Sequence, residues 1–163
     1  MKNKQILFLV QAAMIAAIYV VTTVIFAPLS FGEVQVRFAE ALTILPVFTP
    51  AAIPGVFIGC LVGNILGGAI LPDIIFGSLA TLIGALITYK IGKNHPILAT
   101  FPPIISNTII VPFVLSYGYG INLPIPLLMV TIGIGEILSC GVLGYLLYHA
   151  LKQYEMVIFK EGI

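Results

Sequence analysis

A chain of 163 residues with 60% hydrophobic and 8% charged residues and a mean hydropathy of +1.17 fits no water-soluble class, in which roughly 25% of residues are charged. A net charge of +1 without a basic patch gives no sign of a nucleic-acid partner. The length leaves room for membrane helices and short loops, so residues 1–163 are expected to form one integral membrane domain.

The first apolar run extends from about Gln5 to Leu29. It is long enough to cross a hydrocarbon layer of about 30 Å, which takes about 20 residues. Such a run can pass for a signal peptide, but no soluble domain follows it, so it is read as a retained first span. Within it, "AAMIAA" places Ala12 and Ala16, and also Ala13 and Ala17, four residues apart. Small residues at that spacing share one helix face and let a second helix come close, either within the chain or from a partner subunit.

The next stretch, "GEVQVRFAEAL", concentrates charge between apolar neighbours. If it is helical, Glu33 and Arg37 stand at i,i+4 and Arg37 and Glu40 at i,i+3, so the three can pair locally and close the mouth of a bundle. A direct ligand contact by one member is the other reading. The following region, Phe38 to Gly68, would be roughly 46 Å long as a single helix, too long for the bilayer. It also carries Pro46, Pro50 and Pro54, which break or bend helices. Two shorter spans joined near Thr49 to Pro54 are predicted instead.

The last three spans run from about Asp73 to Tyr89, Ile97 to Tyr117 and Pro124 to Leu151, bounded by Pro, Gly, Asn or Lys. Six spans with an internal N-terminus put Lys2, Lys4, Lys90, Lys93, Lys152 and Lys160 inside and only Arg37 outside. Five spans would put most of these charges outside, against the positive-inside rule. The expected fold is an all-α integral membrane protein, a compact bundle of six transmembrane helices with both termini cytoplasmic. Glu33 and Arg37 are then expected at the extracellular mouth, within reach of water. No internal repeat of the kind common in secondary transporters is visible.

Polar residues inside such a bundle need a reason. Glu136 lies near the middle of the last span in "TIGIGEILSCG", where an ionised carboxylate costs about 2.5–3.5 kcal/mol on insertion scales. It is either satisfied by a neighbouring helix or anchors a polar ligand, with Gly133 and Gly135 leaving room beside it. Asn107 in "IISNTIIVP" and Asn64 in "LVGNILGG" can join helices or read a ligand as both donor and acceptor. Asp73 stands at the outer edge of the fourth span. Tyr117 and Tyr119 in "LSYGYG" form an interfacial belt or stack on a flat ring.

Cys60 and Cys140 read as small buried hydrophobes. His95 and His149 have no metal-ligand spacing, and neither a nucleophile triad nor a phosphate loop is present. An enzyme, a metal site, a cofactor and an autonomous ATPase are therefore not expected. Three functions stay open on these residues: the capture subunit of an ATP-driven importer, a self-sufficient proton-coupled secondary transporter using Glu136, and a scaffold that binds no small ligand.

The segments "VQVRFAEALTILPVFTPAAIPGVFIGCLVGN" and "DIIFGSLATLIGA", with the six-span layout and "AAMIAA", resemble the substrate-binding S components of energy-coupling factor (ECF) transporters. The resemblance is closest to the QueT family of queuosine-precursor transporters and covers nearly the whole chain. It implies a multi-pass protein of the bacterial cell membrane that captures a small molecule from outside. Its partners would be two cytosolic ATPases, which hydrolyse the ATP, and a transmembrane coupling subunit docked on Ala12 and Ala16. The implied substrate is a 7-deazaguanine, such as queuine or an aminomethyl-deazaguanine. Its guanine-like edge offers adjacent N–H donors that a carboxylate accepts pairwise. Glu136 is the first candidate for that contact and Asn107 the second, with Glu40 or Asp73 for an aminomethyl group and Tyr117, Tyr119 or Phe113 for stacking. Arg37 and Asn64 complete the candidate set.

Overall fold

The structure is a computed structural model and describes residues 2–30, 35–92 and 94–159. Glu33, Lys93 and Lys160, three of the charges weighed above, lie outside the described residues. Among the described residues every regular element is helical. The chain begins with α1 (Lys2–Ile25). After one short helical turn it runs extended through residues 35–37 into a 3₁₀ helix, Phe38–Val47, and then into α2 (Ala52–Leu66). Three longer elements follow: α3 (Leu71–Gly92), α4 (Leu98–Gly118) and α5 (Ile125–Lys152).

By length and composition, α1, α3, α4 and α5 can each cross a membrane, while the 3₁₀ helix and α2 are shorter apolar elements. The predicted break in the Phe38–Gly68 region is present. The helical path stops after Val47 and restarts at Ala52, and Thr49 Oγ1 fills the gap by accepting the Ala51 N–H at 3.3 Å. The same hydroxyl donates to Gln11 Oε1 of α1 at 3.0 Å, pinning the break to the first helix. At about 2.0 Å per residue, the stretched 3₁₀ geometry carries its ten residues about 20 Å, further than an α-helix of equal length would reach.

The tightest seam joins α1 and α2, and its cause is a glycine ladder. Gly55, Gly59 and Gly63 are four residues apart on one face of α2, opposite Ile15, Tyr19 and Thr23 of α1. A Cβ at Gly59 would lie 2.6 Å from Tyr19 Cβ and 3.1 Å from the Ala16 carbonyl, and one at Gly55 would lie 3.0 Å from the Ala12 carbonyl. Small residues at this spacing bring two backbones into contact, where dispersion between them replaces contact with lipid. Ala12 is consequently buried and Ala16 half-buried against α2, whereas Ala13 and Ala17 face outward. Ile15, Tyr19, Val56, Cys60 and Ala85 form the core beneath this seam, and a second cluster of Val111, Leu115, Leu128 and Ile132 holds α4 to α5.

Both of the last two helices contain a π-helical turn: Val114–Gly118 at the end of α4, and Ile137–Leu143 within α5, directly after Glu136. An inserted residue of this kind widens a helix locally and re-aims its side chains, often at functional sites. The outer surface is a field of exposed Ile, Leu, Val and Phe side chains, the expected lipid face of a bundle whose polar groups are turned inward.

Candidate functional site

Glu40, Glu136, Asn107, Arg37, Asp73 and Asn64, all named from the sequence, are buried in the interior, in two groups. At the centre, the ligand-capable atoms of Glu40, Glu136 and Cys140 lie within 4.8 Å of one another, all buried. The first turn of the 3₁₀ helix aims Glu40 at α1 and α3, where its Oε1 accepts a short hydrogen bond from the Tyr19 hydroxyl and another from Thr81 Oγ1 at 2.8 Å. Glu136 enters from α5 and accepts the Cys140 thiol, one turn on, at 3.2 Å. Thr43 ties the two sides together, donating to the Glu40 carbonyl at 2.6 Å with its oxygen 3.5 Å from Cys140 Sγ.

Several buried polar side-chain atoms have no hydrogen-bond partner among the described residues. They are Glu40 Oε2, both side-chain atoms of Asn107, Thr108 Oγ1, Ser139 Oγ and Gln35 Nε2. Asn107 is fully buried and lies beside Glu136. Buried polar groups are nearly always bonded, since an unsatisfied one costs about 1–3 kcal/mol. A cluster offering acceptors (Glu40, Asn107) and a donor (Asn107) beside two carboxylates is chemically suited to a flat polar molecule carrying both kinds of group.

The second group sits on the side of α3's N-terminus. The Arg37 guanidinium turns inward, and its NH2 nitrogen donates to both Asp73 oxygens at 3.2 Å, with Nε donating to Gln35 Oε1 at 3.1 Å. Gly77, one turn along α3, makes room: a Cβ there would lie 2.8 Å from Asp73 Oδ1 and 3.5 Å from Arg37 NH1. Asn64 donates from Nδ2 to the Asp73 carbonyl at 3.3 Å, and Tyr119 donates its hydroxyl to Asp73 Oδ2 at 3.2 Å. Burial and the neighbouring Asp73 carboxylate push the Tyr119 phenol above its ordinary value, so it stays a proton donor at neutral pH. Asp73 thus gathers the segment before the 3₁₀ helix and the connection between α4 and α5 through its carboxylate, and the end of α2 through its backbone carbonyl.

These contacts revise the expected roles. Arg37 pairs with Asp73 and not with Glu40, because residues 35–37 are extended rather than helical and the two side chains leave the backbone toward different helices. Arg37 is also buried at 5% exposure, not open to water as expected. Asp73 and Asn64 are occupied by structure. Tyr117, 79% exposed, stacks on Phe113 at 6.5 Å and lines an outward-facing apolar groove of about 410 Å³ between α3 and α4, away from the carboxylates. Tyr119 latches Asp73. Of the candidate set, Glu136, Asn107 and Glu40 occupy the central cluster.

A model of the QueT transporter family matches residues 9–153. The chain belongs to the QueT transporter family. A curated relative from Lactococcus lactis subsp. cremoris (strain MG1363), described as "Queuosine precursor transporter QueT", is 34% identical over 85 residues, which is 51% of this chain and 50% of the relative. The match therefore spans about half the length of that relative. No solved structure matches the chain.

The matched region of this QueT chain includes residues that its polar spacing did not single out: Tyr19, Thr43, Thr81, Ser139 and the Gln35 side chain. Isolated hydroxyls in apolar helices are common and local, so only three-dimensional proximity distinguishes these from Thr22, whose hydroxyl bonds its own helix at Ile18. The glycine ladder of α2, by contrast, was readable as small residues at four-residue spacing.

Gly135 has a sharper role than leaving room. The Gln35 carbonyl lies against it so closely that any Cβ would overlap the oxygen. The segment 35–37 therefore crosses α5 at a residue without a side chain, beside Glu136. Gly135→Ala should lift this segment and expose the central cluster. In a Cys60→Ala background, maleimide labelling of Cys140, a thiol only 1% exposed, is expected to accelerate by about tenfold or more in the variant. An unchanged rate would mean that the segment does not cover the site.

Proposed function

We propose that this chain is the S component of an ECF-type importer that captures a queuosine precursor, a 7-deazaguanine, from outside and delivers it to the cytoplasm. It does so as a six-span protein of the bacterial plasma membrane with both termini inside, the 3₁₀ helix and α2 being the two short crossings. Two cytosolic ATPases supply the ATP hydrolysis, and a transmembrane coupling subunit links them to this chain. Family membership supports the transport class, and the printed description of the Lactococcus relative supports the ligand class. The observation that carries the reading is the buried cluster of Glu136, Asn107 and Glu40 with open hydrogen-bonding atoms in an otherwise apolar bundle.

Glu136 accepts the adjacent N–H donors of the guanine-like edge, and Asn107 beside it reads a neighbouring donor or acceptor. Glu40 keeps Oε2 for a substituent, while Asp73 is withdrawn from that role by Arg37 and Tyr119. For the coupling subunit, Ala12 and Ala16 lie on the α2 side of α1, so a docking helix would rest on the exposed, equally spaced Ala13 and Ala17. The ligand that copurifies in detergent should be a 7-deazaguanine, and 7-deazaguanine binding should be measurable without the ATPases. Glu136→Gln, which preserves shape, should weaken it about 10–100-fold, the loss of charge-assisted hydrogen bonds worth about 1.5–3 kcal/mol. Equal affinity in the variant overturns the anchor role. Uptake by the purified chain alone in liposomes under a pH gradient overturns the importer assignment in favour of a proton-coupled carrier.

A further inference from the structure

Lys90 stands exposed in the last turn of α3 and makes no ion pair among the described residues. The described carboxylates are engaged elsewhere: Glu40, Asp73 and Glu136 are buried, and Glu155 meets Lys152 at 2.7 Å. Lys90 comes seven residues after Ile83, so it shares that residue's face of the helix two turns on. On this face Ile83, Ile87 and Ile91 form one bank of a second apolar groove, of about 510 Å³, and Phe101, Ile105 and Ile109 of α4 form the other. Ile109 and Ile110 also line the groove beside Tyr117, so the two are continuous. Together they follow α3, whose 22 residues reach about 33 Å, the thickness of a hydrocarbon layer.

The groove has a structural cause. Helices α3 and α4 meet closely at Gly84, where a Cβ would lie 2.7 Å from Pro103 Cα, while the large side chains outside this contact stand up as banks. Ser106 is the polar residue lining this part of the groove, and its hydroxyl donates to the Ala80 carbonyl at 2.9 Å. What the groove offers an occupant is therefore hydrocarbon, with a cation at one end.

We propose that the Lys90 half of this groove holds an acyl chain of an anionic phospholipid whose phosphate pairs with Lys90. A partner helix fits it poorly. The α1–α2 seam packs through glycines at four-residue spacing, whereas the banks here carry Ile and Phe at that spacing and keep a second backbone away. A chain of methylenes is narrow enough to lie between them. Bulk lipid is as apolar as the groove, so burial alone selects nothing; dispersion from two banks holds the chain, and the Lys90 ammonium selects the headgroup. The Tyr117 half has no charged lining residue and makes no such selection. This inference does not depend on what the central cluster binds.

The test uses the full chain in detergent, equilibrated with equal parts of phosphatidylglycerol and phosphatidylcholine of the same acyl chains and read by native mass spectrometry. The wild type should retain phosphatidylglycerol about fivefold over phosphatidylcholine, equivalent to about 1 kcal/mol for one lysine at the surface. Lys90→Gln should bring the ratio to within about twofold of unity, whereas Lys152→Gln, the same charge change at a lysine already paired, should leave it near fivefold. A phosphatidylglycerol with a diazirine midway along its chain should label α3 and α4 peptides between residues 83 and 109. Ile87→Trp, a larger side chain at an exposed position, should suppress that label. Equal retention of the two lipids by the wild type, or a preference that survives Lys90→Gln, overturns the role of Lys90. Label confined to other helices overturns the groove as the lipid's seat. A dimer in the same spectra with the label lost overturns the lipid in favour of a second copy of the chain.

Discussion

Asp73→Ala should cost the folded protein about 3–5 kcal/mol, the range found when one partner of a buried ion pair is removed. The reason is the charge left behind. Arg37 is 5% exposed and is held against both Asp73 oxygens, so losing the carboxylate strands a guanidinium in an apolar interior. The variant also loses the acceptor for Tyr119, releasing the connection between α4 and α5 from the start of α3. Unfolding followed by circular dichroism in detergent would read the loss as a large drop in midpoint. The double variant Arg37→Met, Asp73→Leu removes both charges and should recover most of it, because well-packed apolar pairs often match or exceed a buried ion pair. A stable Asp73→Ala single variant would mean that the pair does not hold these segments together.

Substitution along the α1–α2 seam should give a graded series with Gly59 at its worst point. An alanine at Gly63 meets only the Thr23 side chain, its nearest atom at 3.1 Å, and can be accommodated by small shifts. At Gly59 the new carbon meets Tyr19 Cβ at 2.6 Å with the Ala16 carbonyl close behind, and neither can rotate away. Overpacking of this kind costs about 1–3 kcal/mol and pushes the two backbones apart. Gly59→Ala is expected near the top of that range and Gly63→Ala near its foot, read from the same unfolding midpoints. Because Tyr19 also donates to Glu40, Gly59→Ala should weaken ligand binding as well, whereas Gly63→Ala should spare it. Equal effects at the two positions would contradict the seam as the support of the site.

Much of this molecule is written locally. The long apolar runs specify α1, α3, α4 and α5 because each satisfies its own backbone and matches the bilayer in length. The proline-rich stretch after Val47 specifies a break, since proline removes donors and disfavours helix in the residue before it. Glu136 and Asn107 were recognisable as interior groups because polar residues in apolar helices must face something other than lipid. The pairing of the charged stretch was not recognisable. Read along a helix, Arg37 belongs with Glu40; the chain instead runs extended there, and Arg37 reaches Asp73, 36 residues away in sequence.

The sequence by itself determined that this is a helical membrane protein with a few polar groups at its centre, because hydropathy and helix length are properties of single segments. Tertiary structure alone decided which of those groups are ligand candidates and which are braces. That division depends on distances between segments: Asp73, Asn64 and Tyr119 are consumed by one another and Arg37, while Glu40, Glu136 and Asn107 meet with bonding capacity to spare. Spacing along a helix sets which residues share a face, but only the packing of the helices sets what that face meets.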